Sequence, residues 1–561
     1  MGGAEASGNA PARLAETPVG VFVGISSFDY MLLQARAGFP AVSNPYTATG
    51  GAMGVAAGRV AYCLGLTGPV MAVDTACSSA LSALTLACES LLRGEAPMAL
   101  AGGVNLILSP DVMASLCRLQ LLAPDGEAHP FEAGANGYVR GEGCVVTVLK
   151  TLRQARADGD TVHAVIKSWA VNHDGRTNGL TAPSRGAQAD VIRAALARAG
   201  LGADDVGYVE THGTGTPLGD MIEMGVLGDV FGARDPARGA LTIGAVKAAV
   251  GHLEAAAGLA GFAKAVLMVR DGLHPAQPGF CEPSPRIPWA DFPIEVKTVT
   301  QSWMDTPRIA GVHSCSFSGT NVHVIVAEDV VPAPKGSAAA IEGPVMLALS
   351  AATPAALSGR ACALAAWLCE TPALSLASVA RSTARTWTGL ACADAIVAAT
   401  PAEAVQLLTK LAARAAEAPA PRRGKVLRSV ALAIGEAEFA RAPLLAAFGQ
   451  TLPEGAKGKA DWADRLFAAL CEAAGLGVAS PASAEIVLAV GPEPPAVGKT
   501  PVVRALADDL PPVRSVLEAF AALSRHGAAV DARGLLPPGL HENVALPPYP
   551  FQHERFWFND V

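Results

Sequence analysis

Three residues in this chain have a type and a setting that can move an acyl group: Cys77, His212 and His252. Cys77 lies in Val-Asp-Thr-Ala-Cys-Ser-Ser-Ala-Leu (Val73 to Leu81). The apolar run Val70 to Val73 reads as a short buried strand, and Ser79 to Leu92, with Leu81, Leu84, Leu86 and Leu91, as a core-packed helix. A thiol on that corner faces unpaired backbone N–H groups and the positive end of the helix dipole, which predicts a stabilised thiolate. The same N–H groups suit a developing oxyanion. Against this, a single cysteine in an apolar stretch is more often an inert core residue.

The two histidines sit in glycine-rich turns. His212 lies in Val-Glu-Thr-His-Gly-Thr-Gly-Thr-Pro-Leu-Gly-Asp (Val209 to Asp220) and His252 in Val-Lys-Ala-Ala-Val-Gly-His-Leu-Glu (Val246 to Glu254). Gly213, Gly215 and Gly251 permit backbone angles and close approaches that a Cβ forbids, so a substrate can come near both imidazoles. The alternative is that each histidine caps a loop or satisfies a buried carbonyl.

These stretches resemble the β-ketoacyl synthases, and specifically the ketosynthase region of modular type I polyketide synthases. Asp-Thr-Ala-Cys-Ser-Ser is similar to the family's nucleophile motif, Thr-His-Gly-Thr-Gly-Thr to its first histidine motif, and Lys247 to His252 to its second. Further similar stretches are Gly20 to Gly24, Gly137 to Cys144, Asn172 to Pro183 and Phe317 to Val324. The resemblance implies a thiolase-like five-layered αβαβα fold, followed by a small α/β linker domain. It implies an acyltransferase-class enzyme, a β-ketoacyl-[acyl-carrier-protein] synthase performing decarboxylative Claisen condensation. Cys77 would take the growing chain as a thioester. Malonyl or methylmalonyl on a carrier protein would then lose carbon dioxide, and His212 and His252 would donate Nε2 protons to the enolate oxygen. Backbone N–H groups of Cys77 and Phe317 would form the oxyanion hole. Lys247 would orient His252 or bias its tautomer, or else make a structural ion pair. Thr214, Thr216, Gly319, Thr320 and Asn321 would contact the pantetheine arm.

Departures from that pattern are visible. Ala248 and Ala249 stand where relatives carry hydroxyl and amide side chains, and His313, Cys315 and Ser316 replace the usual Asn, Phe and Gly before Phe317. Losing a glycine there predicts a stiffened or locked gate. Gly3 to Thr17 resemble the segment ahead of the family's second core strand. The first strand and its helices are therefore expected to be absent; in the fold the resemblance implies, that strand is central in its sheet, so its loss is expected to leave two unpaired edges. A fragment of a longer polypeptide is the favoured explanation, ahead of a part supplied by another chain or a decayed gene product.

The expected organisation is a ketosynthase domain over 1–328, a linker domain over 329–424, a degenerate acyltransferase remnant over 425–500 and a post-acyltransferase tail over 501–561. The run from Val330 reads as a linker, and Val345 to Leu349 as a strand before a helix carrying Leu357, Leu364, Trp367 and Leu368. No Gly-x-Ser-x-Gly elbow occurs in Lys425 to Ala489. Extender units are thus expected from a separate acyltransferase. The aromatics of Pro547 to Phe558 are expected to bury against the linker and ketosynthase domains.

Composition is compatible with large α/β cores: 561 residues, 51% hydrophobic and 16% charged. A net charge of -8 without clustered Lys or Arg argues against nucleic acid, and charges interrupt every apolar run long enough for a membrane. Eleven cysteines without CxxC pairs, and no leader-like start, point to a reducing cytoplasm. Cys63, Cys88, Cys144 and Cys369 are expected in the core. No metal site is expected, nor any cofactor bound on this chain. No Asp-Ser-Leu carrier site occurs, so 4'-phosphopantetheine would arrive on partner acyl carrier proteins, docking on a basic patch such as Lys150, Arg153 and Arg156. The family's homodimer is the expected assembly. A non-elongating ketosynthase that only passes chains along or scaffolds carrier proteins, and an inactive fragment, are the alternatives.

Overall fold

A computed structural model describes residues 9, 11–38, 43–330, 343–386 and 390–418, with shorter stretches between 429 and 552. The chain divides into two compact units: residues 15–331 with 556–561, and residues 1–14 with 332–555.

The first unit is built on two sheets of like topology. One has the order β2-β1-β3-β4, from β1 (Gly20–Gly24), β2 (Val70–Val73), β3 (Ala99–Asn105) and β4 (Gly143–Leu149). β1 to β3 run parallel and β4 is antiparallel to β3. The other has the order β5-β12-β11-β6-β7-β9. Its strands are β5 (Val165–His173), β6 (Tyr208–Glu210), β7 (Leu241–Gly244), β9 (Ile294–Val296), β11 (Ile309–Cys315) and β12 (Thr320–Ala327). Here β7, β6 and β11 are parallel and β12 is antiparallel to β11, so β7-β6-β11-β12 repeats the arrangement of β2-β1-β3-β4. β8 (Leu273–His274) and β10 (Gln301–Ser302) form a separate two-stranded ribbon.

Two helices, Ser79–Leu92 and Ala257–Asp271, fill the layer between the sheets. Ala80, Leu81 and Leu84 of one and Leu259 and Phe262 of the other join Phe22, Ala101, Val312, Val322 and Val324 in one core. The helices Arg185–Ala199 and Pro217–Phe231 cover the outer face of the second sheet through Ile192, Leu196, Met224 and Leu227. The helix Met53–Leu64 lies on the first sheet through Ala57, Ala61 and Leu64. The result is the expected αβαβα layering.

The expectation of a gap in the middle of the first sheet is overturned. β1 pairs with β2 on one side and with β3 on the other, so hydrogen bonding runs unbroken. Two strands of the second sheet have no described counterpart in the first: β5, antiparallel to β12 at one edge, and β9, parallel to β7 at the other. Their places in the first sheet are the outer edges of β4 and β2, where no described strand pairs. The sequence motifs name the strands but not their lateral order, which packing decides.

In the other unit, β13 (Val345–Ala351) pairs antiparallel with β14 (Cys392–Ala398), backed by the helices Pro354–Glu370 and Pro401–Glu417. A parallel sheet follows, in the order β16-β15-β17-β18, from β15 (Ser429–Ile434), β16 (Gly477–Val478), β17 (Val487–Val490) and β18 (Val502–Ala505). β18 pairs with β17, so this sheet continues past residue 500. Met346 and Val397 of the antiparallel pair share a core with Leu488, Val503 and Phe520, so the antiparallel pair and the parallel sheet pack around one interior. Tyr549 is buried, its hydroxyl accepting the Ala352 N–H, whereas Phe551 is exposed. The run 331–342 and the aromatics Phe556 to Phe558 lie outside the described residues. Of the four cysteines expected in the core, only Cys88 is buried; Cys63, Cys144 and Cys369 face outward.

Candidate active site

The chemistry-bearing residues all sit at strand ends of the 15–331 unit. β2 leads into a short 3-10 turn, Ala76–Ser78, that delivers Cys77 ahead of the helix starting at Ser79. Ala76 is held at φ +53°, a left-handed backbone that only surrounding bonds make tolerable. Those bonds are local: Asp74 Oδ1 accepts the Ala76 N–H (2.9 Å), Ser79 Oγ accepts the Thr75 N–H (2.9 Å), and Thr75 Oγ1 meets Ser78 Oγ (2.9 Å) and Ser82 Oγ (3.0 Å). Hydroxyls together with the Asp74 carboxylate therefore brace the nucleophile turn.

The main-chain N–H groups of Phe317 and Cys77 both pull the Cys77 thiol toward its ionised form, as donors near a sulfur do. The dipole argument for a thiolate fails, however. Burial and then the negative charge of Glu254 push the Cys77 thiol up to about 11, against the opposing pull of Lys247 and the two N–H groups. Cys77 rests as a thiol, and its proton must leave as the sulfur attacks.

His212 follows β6 and His252 follows β7; their rings stand edge to face, 5.6 Å between centroids. Glu254 N–H donates to His252 Nδ1 at 2.9 Å, and Cys315 N–H makes a longer hydrogen bond, 3.4 Å, to His212 Nδ1. A ring whose Nδ1 accepts carries its proton on Nε2. Burial, reinforced by the Lys247 charge, drives both imidazoles well below their usual range, so both are neutral. Two neutral Nε2–H donors are thereby fixed. Gly251, at φ +74°, sets the turn before His252, and a Cβ there would stand 3.1 Å from the Val139 carbonyl oxygen.

Lys247 is buried beside this pair, its pKa lowered by burial and raised in part by Glu210 and Glu223. Neither expected role of Lys247 is what the geometry gives. The tautomer of His252 is set by Glu254 N–H, and Glu210 forms its ion pair with Lys264 (2.9 Å). Lys247 instead supplies positive potential felt at Cys77, His212 and His252.

Sequence reasoning missed the carboxylates that hold the His212 loop. Glu223 accepts the N–H groups of His212 and Gly213, each at 2.7 Å, and Asp220 accepts those of Phe131 (2.7 Å) and Gly215 (3.2 Å). Both are buried, and burial raises each carboxyl to about 7. A signal existed: two acids three residues apart, in the first two turns of the helix after the His212 loop, share the helix face turned back toward that loop.

The expected pantetheine contacts divide. Thr214 and Thr216 are half-buried with hydroxyls 3.0 Å apart. Gly319, at φ +88°, turns the β11–β12 hairpin against the His173 ring, and Thr320 donates its N–H to Ser316 Oγ (3.1 Å). Asn321 is a correction: it is fully buried, its amide donating to Asp174 Oδ1 (2.7 Å) and Asn172 Oδ1 (3.2 Å), so its side chain braces the wall. Two of the three residues of the expected basic patch are ion-paired. Lys150 pairs with Asp158 and Asp160, and Arg156 with Asp329. Among the described residues no cluster of metal-type ligands occurs, and no helix is long and apolar enough to cross a membrane.

The chain is similar to known proteins in both sequence and fold. Residues 4–155 match the Beta-ketoacyl synthase N-terminal domain, 163–280 the Beta-ketoacyl synthase C-terminal domain, and 283–389 the Ketoacyl-synthetase C-terminal extension. The chain belongs to the β-ketoacyl synthase family. The ketosynthase is similar to Erythronolide synthase EryA3 of Saccharopolyspora erythraea, 47% identical over 66% of this chain and 12% of that protein. It is also similar to the Spectinabilin polyketide synthase system protein NorA' of Streptomyces orinoci, 40% identical over 82% of this chain and 13% of that protein. The ketosynthase thus spans about an eighth of the length of these relatives. Among solved structures, the ketosynthase from module 6 of the bacillaene synthase of Bacillus subtilis 168 has a TM-score of 0.74 and 27% identity over 99% of this chain and 84% of that one. The oxazolomycin ketosynthase domain OzmH KS7 of Streptomyces albus JA3453 has 0.69 and 34% over 73% and 72%.

Proposed function

We propose that this ketosynthase elongates a polyketide by decarboxylative Claisen condensation. The observation that carries the reading is one thiol beside two neutral imidazoles whose Nδ1 atoms both accept, leaving both Nε2 protons free to donate. The Cys77 sulfur attacks an acyl thioester, its proton leaving with the departing pantetheine thiol, and a thioester forms on Cys77. A malonyl or methylmalonyl thioester then breaks its carboxylate bond. Carbon dioxide leaves, and the electron pair passes into an enolate whose oxygen receives hydrogen bonds from His212 and His252 Nε2–H. The enolate carbon attacks the Cys77 carbonyl, the N–H groups of Cys77 and Phe317 hold the oxyanion, and collapse expels the Cys77 thiolate. Thr214 and Thr216 offer hydroxyls to the arm. Acyl carrier proteins would deliver both substrates on 4'-phosphopantetheine, a separate acyltransferase would load the extender unit, and the enzyme would act as a homodimer.

A second reading, transfer without condensation, is favoured by Ser316, whose hydroxyl bonds to Ser318 Oγ (2.7 Å) and to the Thr320 main chain (3.1 Å) and so ties down the loop beside Phe317. The test is incubation of the purified chain with an acyl-pantetheine thioester, then with malonyl-pantetheine, reading intact mass and released carbon dioxide. Acylation lost in C77A, followed by carbon dioxide and a β-ketoacyl product, supports elongation. Acylation without carbon dioxide selects the second reading, and no acylation sinks both.

A further inference from the structure

Arg140 and Glu254 form an ion pair that the condensation scheme leaves unused. Arg140 reaches Glu254 with two nitrogens, Nε to Oε1 and Nη2 to Oε2, the latter at 2.9 Å, and the Arg140 side chain is only 2% exposed. Its Nη1 is buried without any partner. For stability alone this is a poor arrangement, because a buried pair with an unpaired donor often contributes less than well-packed apolar residues. Glu254 is also strained, at φ +44°. Strain and an incomplete ion pair at one residue call for a job that an apolar pair cannot do.

That job is visible in the hydrogen bonds. Glu254 N–H is the group that donates to His252 Nδ1. The segment carrying Arg140 also brackets His252: His252 N–H donates to the Val139 carbonyl (2.6 Å), Gly141 N–H donates to the His252 carbonyl (2.8 Å), and the Tyr138 ring stands 5.1 Å from the imidazole. We infer that Arg140 is a positioning residue for His252: by gripping the Glu254 carboxylate it holds Glu254 in its left-handed conformation, so that Glu254 N–H fixes His252 as the Nε2–H donor. The inference rests on the proposed condensation only for its catalytic consequence. Its tautomer claim stands alone.

The test uses the full chain with R140Q, R140K and E254Q. Histidine labelled with 15N reports the tautomer directly: wild type gives the Nε2–H signature for His252, and R140Q gives a mixture of tautomers. An unchanged signature in folded R140Q overturns the inference, whether or not any condensation is seen. In the assays, R140Q keeps Cys77 acylation within about threefold while malonyl decarboxylation falls severalfold, in step with the fraction of His252 that loses its Nε2 proton, the limit being the roughly 100-fold of a lost oxyanion donor. R140K, which restores the charge without the two-pronged grip, recovers part of the loss. A fall of both steps by one common factor would reduce Arg140 to a scaffold residue. If R140Q does not fold, E254Q decides: it keeps the side-chain shape, and full decarboxylation with a wild-type His252 signature refutes the role. Absence of acylation in wild type itself would count against the condensation reading and leave the tautomer measurement to judge Arg140.

Discussion

The two sheets of the ketosynthase unit share an arrangement, yet they are braced differently. The second half, β6-β7-β11-β12, supplies His212, His252 and Phe317, and its loops are tied by buried carboxylates: Glu223 and Asp220 hold the His212 loop, and Glu210 accepts the Val246 N–H. β12 is paired on both sides, by β11 and β5. The first half supplies Cys77, on a turn braced by hydroxyls and by the exposed rather than buried Asp74 carboxylate, and its outer strand β4 is paired on one side only among the described residues. The difference follows the chemistry. Hydrogen-bond donors must be aimed to a fraction of an ångström at a charge that exists only transiently. A sulfur that is acylated, attacked and released tolerates more freedom.

The largest expected effect separates the halves chemically. H212A and H252A should each lower malonyl decarboxylation by about 100-fold or more, the usual scale for an oxyanion donor. Acylation of Cys77 should survive within a few-fold. If either variant abolished acylation as well, the division of labour between the halves would be wrong.

The next effect concerns packing. Val324 on β12 is fully buried, whereas Val146 on β4 is 47% exposed. V324A should cost about 2 kcal/mol of stability and V146A less than about 0.5 kcal/mol, read from denaturant midpoints. Amide exchange should be faster along β4 than along β12, because an edge strand opens without breaking a second ladder. Equal protection of the two strands would mean that something covers the β4 edge.

A third effect is electrostatic. Asp220 and Glu223 keep their protons up to about 7 in the folded chain but release them near about 4 when unfolded. Between those values the native state binds more protons, so their contribution to stability is full at acid pH and is lost as pH rises toward 7. His212, His252 and His313, depressed by burial, act in the opposite sense: their contribution is present above about 6.5 and lost as pH falls. The informative quantity is thus the difference in melting temperature between wild type and D220N/E223Q. It should shift in favour of the variant from pH 5 to pH 8; a constant difference would show that the carboxylates are ionised throughout.

Much of this was legible in the amino acids. The strand Val70–Val73 and the helix Ser79–Leu92 fall where hydrophobic periodicity puts them, but only the helix is buried as expected; the strand is half-buried, with Met71 exposed. The glycines of the His212 and His252 turns announced their backbone angles, φ +76° at Gly215 and +74° at Gly251. Three things were hidden. The lateral order of strands depends on partners remote in sequence. The thiol's protonation depends on burial and on Glu254, which no motif weighs against a helix dipole. The Asn321 side chain was grouped with Gly319 and Thr320 as a substrate contact, but a one-residue step along β12 turns it into the wall.

The smallest expected effect lies where the halves meet. Ser314 Oγ donates to the Cys77 carbonyl (3.2 Å) and Ser318 Oγ to the Thr75 carbonyl (3.3 Å), so the hairpin carrying Phe317 is pinned to the nucleophile turn. Ser316 stiffens that hairpin from within. In S316G the main-chain bonds from Ser316 N–H to the Thr320 carbonyl (3.1 Å) and from Gly319 N–H to the Ser316 carbonyl (2.9 Å) remain, while every side-chain bond of Ser316 is lost. Glycine also adds backbone freedom, an entropic cost of about 0.5–1 kcal/mol to the ordered loop. The loop beside the thiol should therefore open more often, and bulky acyl thioesters should acylate Cys77 about threefold faster than in wild type, with short ones unchanged. A lowered melting temperature with identical rates for both donors would show that the hydroxyl braces the hairpin without governing access, and that the stiffness of the second half stops at the histidines.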